Sequence, residues 1–446
     1  MMKYYSHETE KAAANFGIGL TDPVLVKSYA KVKRAALSAV QKCEKRFSAD
    51  EFASLTDAID EIESGKLDDS FILPLEQGGA GTSINMNLNE VIASRASEIL
   101  KQKYEKEKSF HYIDDINRFQ STNDTFPTAV TIAVLEKLSV MENSIIAFQH
   151  ALKDFENKYH DVLITGRTEL QNALPVFLSQ ITSAWTGPVE RDRWRIHKLK
   201  ERLRTVPLGG SAIGTSFPAT RDYVFEAEKY LREYTGLNLS RSQNFSDDIS
   251  NHDKFAECAS VIKITAQNIY RICADISLYT SSLCGEMIHP ELQFGSTIMA
   301  AKTNPVICEF ASGLAVSAEL ECDKVSRYSE LSVFQLNAYL PFIYASLSNA
   351  FDKSMKAITA LSEKLLPKLE INRQKVEENL YSSGIMLNLL LPYTGYDMIK
   401  ELYHKSKEAK IANRDELIIF LINEGIQESI INDALNPNNF TTARKS

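Results

Sequence analysis

The sequence predicts a mainly α-helical protein built around long helices. Three stretches, 131–160, 253–282 and 308–350, carry apolar residues every three or four positions and contain little glycine or proline. In the first stretch the apolar residues are Leu135, Leu138, Met141, Ile145, Phe148, Leu152 and Phe155. This spacing places them on one side of a helix, which must be buried. Helices of this length predict a bundle whose apolar sides are shared between neighbouring subunits.

The remaining sequence predicts loops and a small C-terminal part. Pro341 is expected to break the third helix. From about Leu387 we predict a turn at 392–395, two short charged helices and a polar tail after Pro437. Gly, Asn, Ser, Thr and Pro collect in predicted loops at 77–89, 120–128, 294–309, 165–175 and 208–217. The chain is therefore predicted to have an N-terminal domain (1–121), a central helical-bundle domain (122–383) and a small C-terminal helical domain (384–446).

The composition excludes several functional classes. The 446 residues include 50 Lys and Arg against 58 Asp and Glu, a net charge of −8 without a basic block. Phosphates and anionic lipid head groups would not be attracted, so we expect neither a nucleic-acid nor a membrane partner. No apolar run of about 20 residues and no signal-peptide core is present, which predicts a cytoplasmic protein. The six cysteines lack metal-ligand spacing, so we expect them to be reduced and expect no metal.

Three loops contain residues that can bind an anion. In 77–89, three glycines precede hydroxyl and amide side chains, which suits either anion binding or a turn with a helix cap. The segment 121–124 has the same two interpretations. The loop 294–309 is more specific, because it carries Ser296, Lys302 and Asn304 after a glycine. A lysine in this position can bind a carboxylate.

Five sequence blocks together resemble a known family. In chain order they are GGAGTSINMNLNEV, QSTNDTFPTA, TGRTELQNALP, LGGSAIGTSF and GSTIMAAKTNPVICE, and they resemble the signature blocks of the aspartase/fumarase superfamily. The resemblance implies a three-part protomer whose long helices join in a homotetramer core of about 20 helices. It also implies active sites shared by three subunits. The implied reaction is a 1,2-elimination that converts a small amino-acid or betaine substrate into an α,β-unsaturated acid without a cofactor.

The resemblance also implies roles for individual residues. Ser296 matches the catalytic serine, which as an alkoxide removes a proton from carbon, and loop N–H groups and Lys302 are expected to stabilise its anion. The residues matching the carboxylate clamp are Lys302, Asn304 and Thr168. Those matching donors to other polar groups of the substrate are Thr82, Ser121, Thr122 and Asn123, and Thr297 keeps a hydroxyl beside the base. The alternative role for these donors is loop capping.

One position departs from the family pattern. The family block Gly-Arg-Thr-His-Leu-Gln has Glu169 in place of its histidine. That histidine faces the substrate and pairs with a glutamate that is matched here by Glu309, so we expect Glu169 and Glu309 to act in catalysis. The two carboxylates would either share a proton or both face a cation.

This departure bears on the substrate. A dicarboxylate would meet a third negative group in a site of low dielectric, which costs several kcal/mol unless a proton is bound. A substrate with one carboxylate and a cationic group suits Glu169 better. The ergothionase branch of the superfamily, which converts ergothioneine to thiourocanate and trimethylamine, is therefore the first hypothesis. The second is an aspartate ammonia-lyase.

Other functions fit less well. Another amine or C–O lyase of the superfamily stays open, whereas a fumarase proper would lack its water-activating histidine. A catalytically silent structural member is disfavoured because Ser296, Lys302 and Asn304 are all retained. Among the dispersed histidines, His289 is a candidate loop gate or ring contact.

Overall fold

The computed structural model describes residues 3–440, and most of them are helical, which confirms the predicted fold class. All helices, in chain order, are α1 His7–Phe16, α2 Pro23–Glu44, α3 Ala49–Glu63, α4 Thr82–Tyr104, α5 Thr122–Lys158, α6 Leu178–Arg202, α7 Arg221–Thr235, α8 Phe245–Ser250, α9 Asp253–Thr280, α10 Val306–Ser329, α11 Leu340–Thr359, α12 Arg373–Ser382, α13 Leu391–Thr394, α14 Tyr396–Ala409, α15 Arg414–Asn423 and α16 Glu428–Ala434.

The strands form small two-stranded sheets. β1 and β2 are antiparallel and pair Leu163 with Phe177 and Thr168 with Gln171. β3 and β4 are parallel, and β5 and β6 are antiparallel. The strand bounds are β1 Leu163–Thr168, β2 Gln171–Phe177, β3 Thr205–Val206, β4 Ser240–Arg241, β5 Met287–Ile288 and β6 Glu370–Ile371.

The chain divides into two compact units. The first unit comprises Met1–Asn143, Trp194–Ala266 and Ser317–Ser354. In it, α2 packs on α3 and α7, and α4 packs on α1 and α3. The second unit comprises Ser144–Arg193, Gln267–Val316 and Met355–Ser446, and its β1 strand packs on α12. The unit boundaries fall within the long helices, so the three-domain division at 121 and 383 stays a prediction.

Local sequence explains where the first helices begin. Asp22 caps α2 by accepting the Val24 N–H at 2.9 Å, and Pro23 occupies the first helical position, where its missing N–H has no cost. Ser48 and Glu51 form a reciprocal capping box at the start of α3, in which each side chain bonds the other residue's N–H. These caps fix the ends of the helices that pack beside α4 and α7.

The long-helix predictions are confirmed with changed boundaries. All seven apolar residues predicted to share one side of α5 are buried, but the helix begins at Thr122 and includes Pro127. The predicted loop at 120–128 therefore ends at Ser121, and the one at 77–89 ends at Gly81. The break predicted at Pro341 lies earlier, between α10 and α11, because Pro341 in the first turn of a helix needs no N–H partner.

Two loop predictions were wrong in type. Residues 165–175 form most of the β1–β2 hairpin rather than a loop. The predicted turn at 392–395 is instead the short helix α13, ended by Gly395 at φ 79°. Within residues 3–440, three α-helices follow α13 rather than the predicted two. Residues 441–446 of the predicted tail lie outside the described residues. No helix within residues 3–440 is both long and apolar enough to span a membrane.

The C-terminal segment has an apolar core of its own. Side chains from α12 to α16 are buried together there, including Leu390, Leu402, Leu421 and Ile431. The 385–390 segment, a 3₁₀-helix, packs against β2 and contributes several members of this core. The hairpin β1–β2 is thereby supported by the C-terminal segment of the second unit.

Candidate functional site

The loop that precedes α4 depends on its glycines. Gly79, Ala80 and Gly81 all have positive φ angles, of 88°, 55° and 89°. A Cβ on Gly81 would lie 2.6 Å from the Phe126 ring, so only glycine fits there. The following residue, Thr82, begins α4 with an exposed side chain. The close packing on Phe126 joins this loop to the first turns of α5.

The start of α5 presents three predicted substrate donors. The Ser121 Oγ accepts the Asn123 N–H at 3.2 Å, and the Asn123 Nδ2 donates to the Ala212 carbonyl at 2.8 Å. The Thr122 Oγ1 accepts the Asn85 Nδ2 at 2.9 Å, and Thr122 is buried. These contacts fit the capping role, and donation to a substrate stays a prediction.

A buried carboxylate holds this turn against the loop of the LGGSAIGTSF block. Asp124 is fully buried, and its Oδ1 accepts the Ser121 N–H at 2.9 Å. Its Oδ2 accepts the Gly209 N–H at 3.1 Å and the Ser211 N–H at 3.0 Å. Burial raises the pKa of Asp124 to about 6, although the three N–H donors and the charge of Lys33 lower it. Sequence reasoning missed this role, although Asp124 lies inside a quoted block.

A buried ammonium group accompanies this carboxylate. Lys33, on α2, is fully buried and donates to Asn117 Oδ1 and Gln120 Oε1, both at 2.9 Å. Burial lowers the pKa of Lys33 to about 7, while the charge of Asp124 raises it. The signal in the sequence was a lysine on the otherwise apolar side of α2, between Tyr29 and Leu37.

The lowered pKa of Lys33 predicts a pH effect on stability. Between about pH 7 and pH 10 the unfolded chain holds a proton on Lys33 that the folded chain does not hold. The Lys33 contribution to the free energy of unfolding should therefore rise by up to ~1.4 kcal/mol per pH unit. Denaturant unfolding of wild type and of Lys33→Met at pH 7.5, 8.5 and 9.5 measures it. A stability difference that stays constant over this range would contradict the prediction.

The predicted catalytic serine lies on an exposed loop of the second unit. The Ser296 Oγ accepts the Met299 N–H at 3.0 Å and the Ile298 N–H at 3.3 Å. The loop is closed by the Asn304 Nδ2, which donates to the Gly295 carbonyl at 2.6 Å. The expected N–H donors to the serine oxygen are thus present. Two N–H groups directed at this oxygen favour a negative charge on it.

Glu169 lies at the tip of the β1–β2 hairpin. The hairpin turns through Glu169 and Leu170, which have positive φ angles of 52° and 62°. This is the geometry of a type I′ turn, which twists with the strands and normally selects Asn or Gly. Both side chains are exposed, and neither residue type relieves the strain of this conformation. The strained tip therefore presents an exposed carboxylate.

Close to the hairpin tip, β1 is held by a buried ion pair. Arg167 donates through Nη1 and Nη2 to the two carboxylate oxygens of Glu286, each at 2.7 Å. The Asn379 Nδ2 donates to Glu286 Oε1 at 2.9 Å. A cavity of about 590 Å³ beside the hairpin is lined by residues that include Arg167, Glu169, Tyr279 and Asn379. Because Arg167 is committed to Glu286, it does not neutralise Glu169.

Glu309 and His289 lie near the serine loop in sequence and belong to the same unit. Glu309 is exposed in the first turn of α10. His289 is buried, and its Nδ1 is 2.9 Å from the Pro290 carbonyl oxygen. Its Nε2 has no hydrogen-bond partner among residues 3–440. Burial lowers the pKa of His289, while the Pro290 hydrogen bond and the Glu309 charge raise it. The predicted function of His289 as a gate or ring contact stays a prediction.

The predicted site residues belong to both units of the chain. Thr82 and 121–123 belong to the first unit, and the others belong to the second. Within residues 3–440 no hydrogen bond or ion pair joins Glu169 to Glu309, so their predicted shared proton stays a prediction. Several predicted site side chains have no hydrogen-bond or ion-pair partner in this described part of the chain: Thr82, Thr168, Glu169, Thr297, Lys302 and Glu309. These groups are therefore free to contact a ligand.

Comparison with known proteins gives consistent matches. A lyase family model matches residues 2–319. An aspartate ammonia-lyase of Helicobacter pylori is 31% identical over 98% of this chain and 94% of its own. A fumarate hydratase class II of Campylobacter jejuni is 32% identical over 89% of this chain and 86% of its own. The crystal structure of a fumarate lyase:delta crystallin from Brucella melitensis superposes with a TM-score of 0.91 at 29% identity, covering 99% of this chain and 96% of that one.

Proposed function

Because the chain belongs to this lyase family, within the aspartase/fumarase superfamily, we propose that it eliminates an amine from an amino-acid-type substrate. Ser296 is the base. The observation that carries this assignment is the pair of N–H groups, from Ile298 and Met299, that donate to the Ser296 Oγ. They stabilise an alkoxide, which lowers the energy needed to make a serine hydroxyl act as a base.

The proposed reaction follows from this base. The Ser296 alkoxide takes a proton from the carbon next to an electron-withdrawing group, and the electrons of the C–H bond form the new double bond. The bond from the neighbouring carbon to nitrogen breaks, and the amine leaves with that electron pair. Lys302, whose ammonium group has no partner within residues 3–440, binds the substrate carboxylate. Thr168 and Asn304 complete this clamp, and Thr82, Thr122 and Asn123 donate to the remaining polar groups.

The first candidate substrate is ergothioneine. Its leaving group is a quaternary ammonium, which departs as neutral trimethylamine and needs no proton from a catalytic acid. It has one carboxylate, so the unpaired Glu169 meets a cationic or N–H-bearing group rather than a second anion. A glutamate that accepts the ring N–H also strengthens the withdrawal of electrons from the reacting carbon. Glu309 is proposed to act with Glu169, as the family's glutamate acts with its histidine.

The second candidate is L-aspartate. It is favoured by the aspartate ammonia-lyase of Helicobacter pylori, which matches 98% of this chain. Aspartate brings two carboxylates to a site that contains the exposed carboxylate of Glu169. This candidate therefore requires Glu169 to bind a proton or to turn away from the substrate.

Direct incubation separates the two candidates. Purified protein is given ergothioneine or L-aspartate, new ultraviolet absorbance is followed, and the released amine is identified by mass spectrometry. Thiourocanate with trimethylamine would support the first candidate, and fumarate with ammonia would support the second. Turnover of neither compound, nor of other amino acids and betaines, would reject the proposed amine elimination.

Glu169→Gln is expected to change the two activities in opposite directions. Loss of a charge-assisted hydrogen bond should lower kcat/KM for ergothioneine by about 10–100-fold. Removal of the negative charge should raise kcat/KM for L-aspartate, because a dicarboxylate is no longer repelled. Steady-state kinetics with both substrates measure this, with Glu408→Gln, an exposed glutamate on α14, as the control. If both activities moved in the same direction, Glu169 would not be the residue that selects the substrate.

The proposal includes a homotetramer with active sites shared by three subunits. Several apolar side chains on α9 and α10 are exposed in the single chain, including Leu278, Phe310 and Leu320 at 41%, 50% and 60%. Long helices with exposed apolar side chains are typical of helices that pack against other subunits. Size-exclusion chromatography with light scattering should give the mass of four chains. A stable, active monomer would reject the shared site.

A further inference from the structure

A buried polar network connects α2 to the start of α5. The Asn117 Oδ1 accepts three donors: Lys33 Nζ at 2.9 Å, and the Nδ2 groups of Asn85 and Asn89, each at 3.2 Å. The Asn117 Nδ2 in turn donates to the Gln120 carbonyl at 3.1 Å. Asn117 is therefore the point at which α2, α4 and the chain entering α5 meet.

The network ends on the predicted substrate donors. The Asn85 amide that contacts Asn117 also donates to the Thr122 Oγ1 at 2.9 Å. The Gln120 carbonyl that accepts from Asn117 belongs to the residue before Ser121. Lys33 contacts Asn117 and Gln120 directly, and it contacts Asn85 through Asn117. These groups set the orientation of the Thr122 hydroxyl and the path of the backbone into Ser121.

Lys33 is well placed to hold this network together. It is fully buried, and its ammonium group lies 5.3 Å from the centre of the Tyr29 ring, while Asn117 and Gln120 accept its hydrogen bonds. The charged group that faces it is Asp124, which accepts the N–H groups of Ser121, Gly209 and Ser211. Removing the amino group would leave the buried Gln120 side-chain oxygen without its donor and would loosen the turn that carries Asp124.

We propose that Lys33 is a positioning residue, whose buried amino group, through its hydrogen bonds to Asn117 and Gln120, fixes 121–123 at the start of α5 and, through Asp124, the loop 209–211. For its effect on catalysis, this inference rests on the proposed function. A merely structural lysine would affect stability alone. A positioning lysine affects the local order of these two segments and the affinity for substrate.

The test compares Lys33→Met with Lys31→Met. Lys31 lies on the same helix and forms an ion pair with Glu136 at 2.7 Å, so its variant also loses a charged contact. Hydrogen exchange followed by mass spectrometry reports on the N–H groups that Asp124 accepts. In Lys33→Met, peptides covering 119–126 and 207–214 should exchange at least about 10-fold faster than in wild type, while peptides from α3 should be unchanged. In Lys31→Met all of these peptides should exchange as in wild type.

Kinetics provide the second measurement. With rates normalised to folded protein, Lys33→Met should raise KM by about 10-fold or more and change kcat less, because contacts to the bound substrate are lost. Lys31→Met should leave both constants within about twofold of wild type. If Lys33→Met does not yield folded protein, Lys33→Gln, which keeps a donor but not the charge, receives the same measurements.

The exchange rates, the KM values and the turnover by wild type test different parts of the proposal. Faster exchange in both segments with a raised KM would support the proposal. Unchanged exchange would overturn it, and so would faster exchange with an unchanged KM, because Lys33 would then be structural only. If wild type turned over no substrate, the proposed function would fall. The exchange measurements would still decide whether Lys33 holds the two segments.

Discussion

Replacing Ser296 with alanine is expected to lower kcat by about 10²–10⁴-fold, the usual contribution of a general base. The Ser296 Oγ is the atom to which the Met299 and Ile298 N–H groups donate, so the variant loses the proposed alkoxide and keeps the loop donors. KM should change little, because the carboxylate clamp is intact. Initial rates on the substrate identified by the incubation experiment measure this.

The control for this variant is Ser64→Ala. The Ser64 hydroxyl is exposed and donates to the Glu61 carbonyl at the end of α3, so activity should be unaffected. A Ser296→Ala enzyme that kept a tenth or more of the wild-type kcat would show that another group removes the proton. Equal and zero turnover of wild type and variant on every substrate would instead favour a non-enzymatic protein.

Gly295→Ala is expected to lower kcat by a factor similar to that of Ser296→Ala, while the helices stay folded. A Cβ on Gly295 would lie 1.8 Å from the Lys302 carbonyl oxygen, a distance that no rotation of a side chain can relieve. The loop would have to open, which breaks the Asn304 hydrogen bond to the Gly295 carbonyl and displaces Ser296. Because 295–302 is mostly exposed, the melting temperature should change by only a few degrees.

The matched control is Gly313→Ala in α10. In the part of the chain that the structure describes, nothing lies within 4 Å of the Cβ position of Gly313. Alanine favours a helix by about 1 kcal/mol over glycine. This variant should stay active with an equal or higher melting temperature. If Gly295→Ala were as active as Gly313→Ala, the closed loop geometry would not be the catalytic one.

The sequence was most informative where a single helix determines burial. Leu138, Ile145 and Leu152 recur with the helical period, and each is buried in α5. The boundaries were harder to predict, because Pro127 suggested a loop although the helix begins before it. Helix capping by Asp124 and the packing of Gly81 on Phe126 override the local preference of a proline. Both effects depend on tertiary or capping contacts, which the spacing of apolar residues in the sequence does not predict.

The site was only partly predictable for a related reason. The sequence blocks made Ser296 and Asn304 candidates, and the structure adds the contacts that close their loop. The hairpin was missed because Glu169 and Leu170 are poor residues for a type I′ turn. Lys33 was missed because a lysine on an apolar helix side has no sequence partner. Its partners Asn117 and Gln120 come from a distant loop, so only the tertiary structure identifies it.

The hairpin tip has a consequence for how this protein can acquire a new substrate. Within residues 3–440, the Glu169 side chain contacts no other side chain through a hydrogen bond or ion pair, while its backbone is fixed by β1 and β2. Under the proposed function, exchange of this side chain therefore alters what the substrate meets but removes no hydrogen bond or ion pair within residues 3–440. Asn or Gly at this position would even relieve the backbone strain. Chemical preference and folding are thus uncoupled at this residue, and selection can change one without endangering the other.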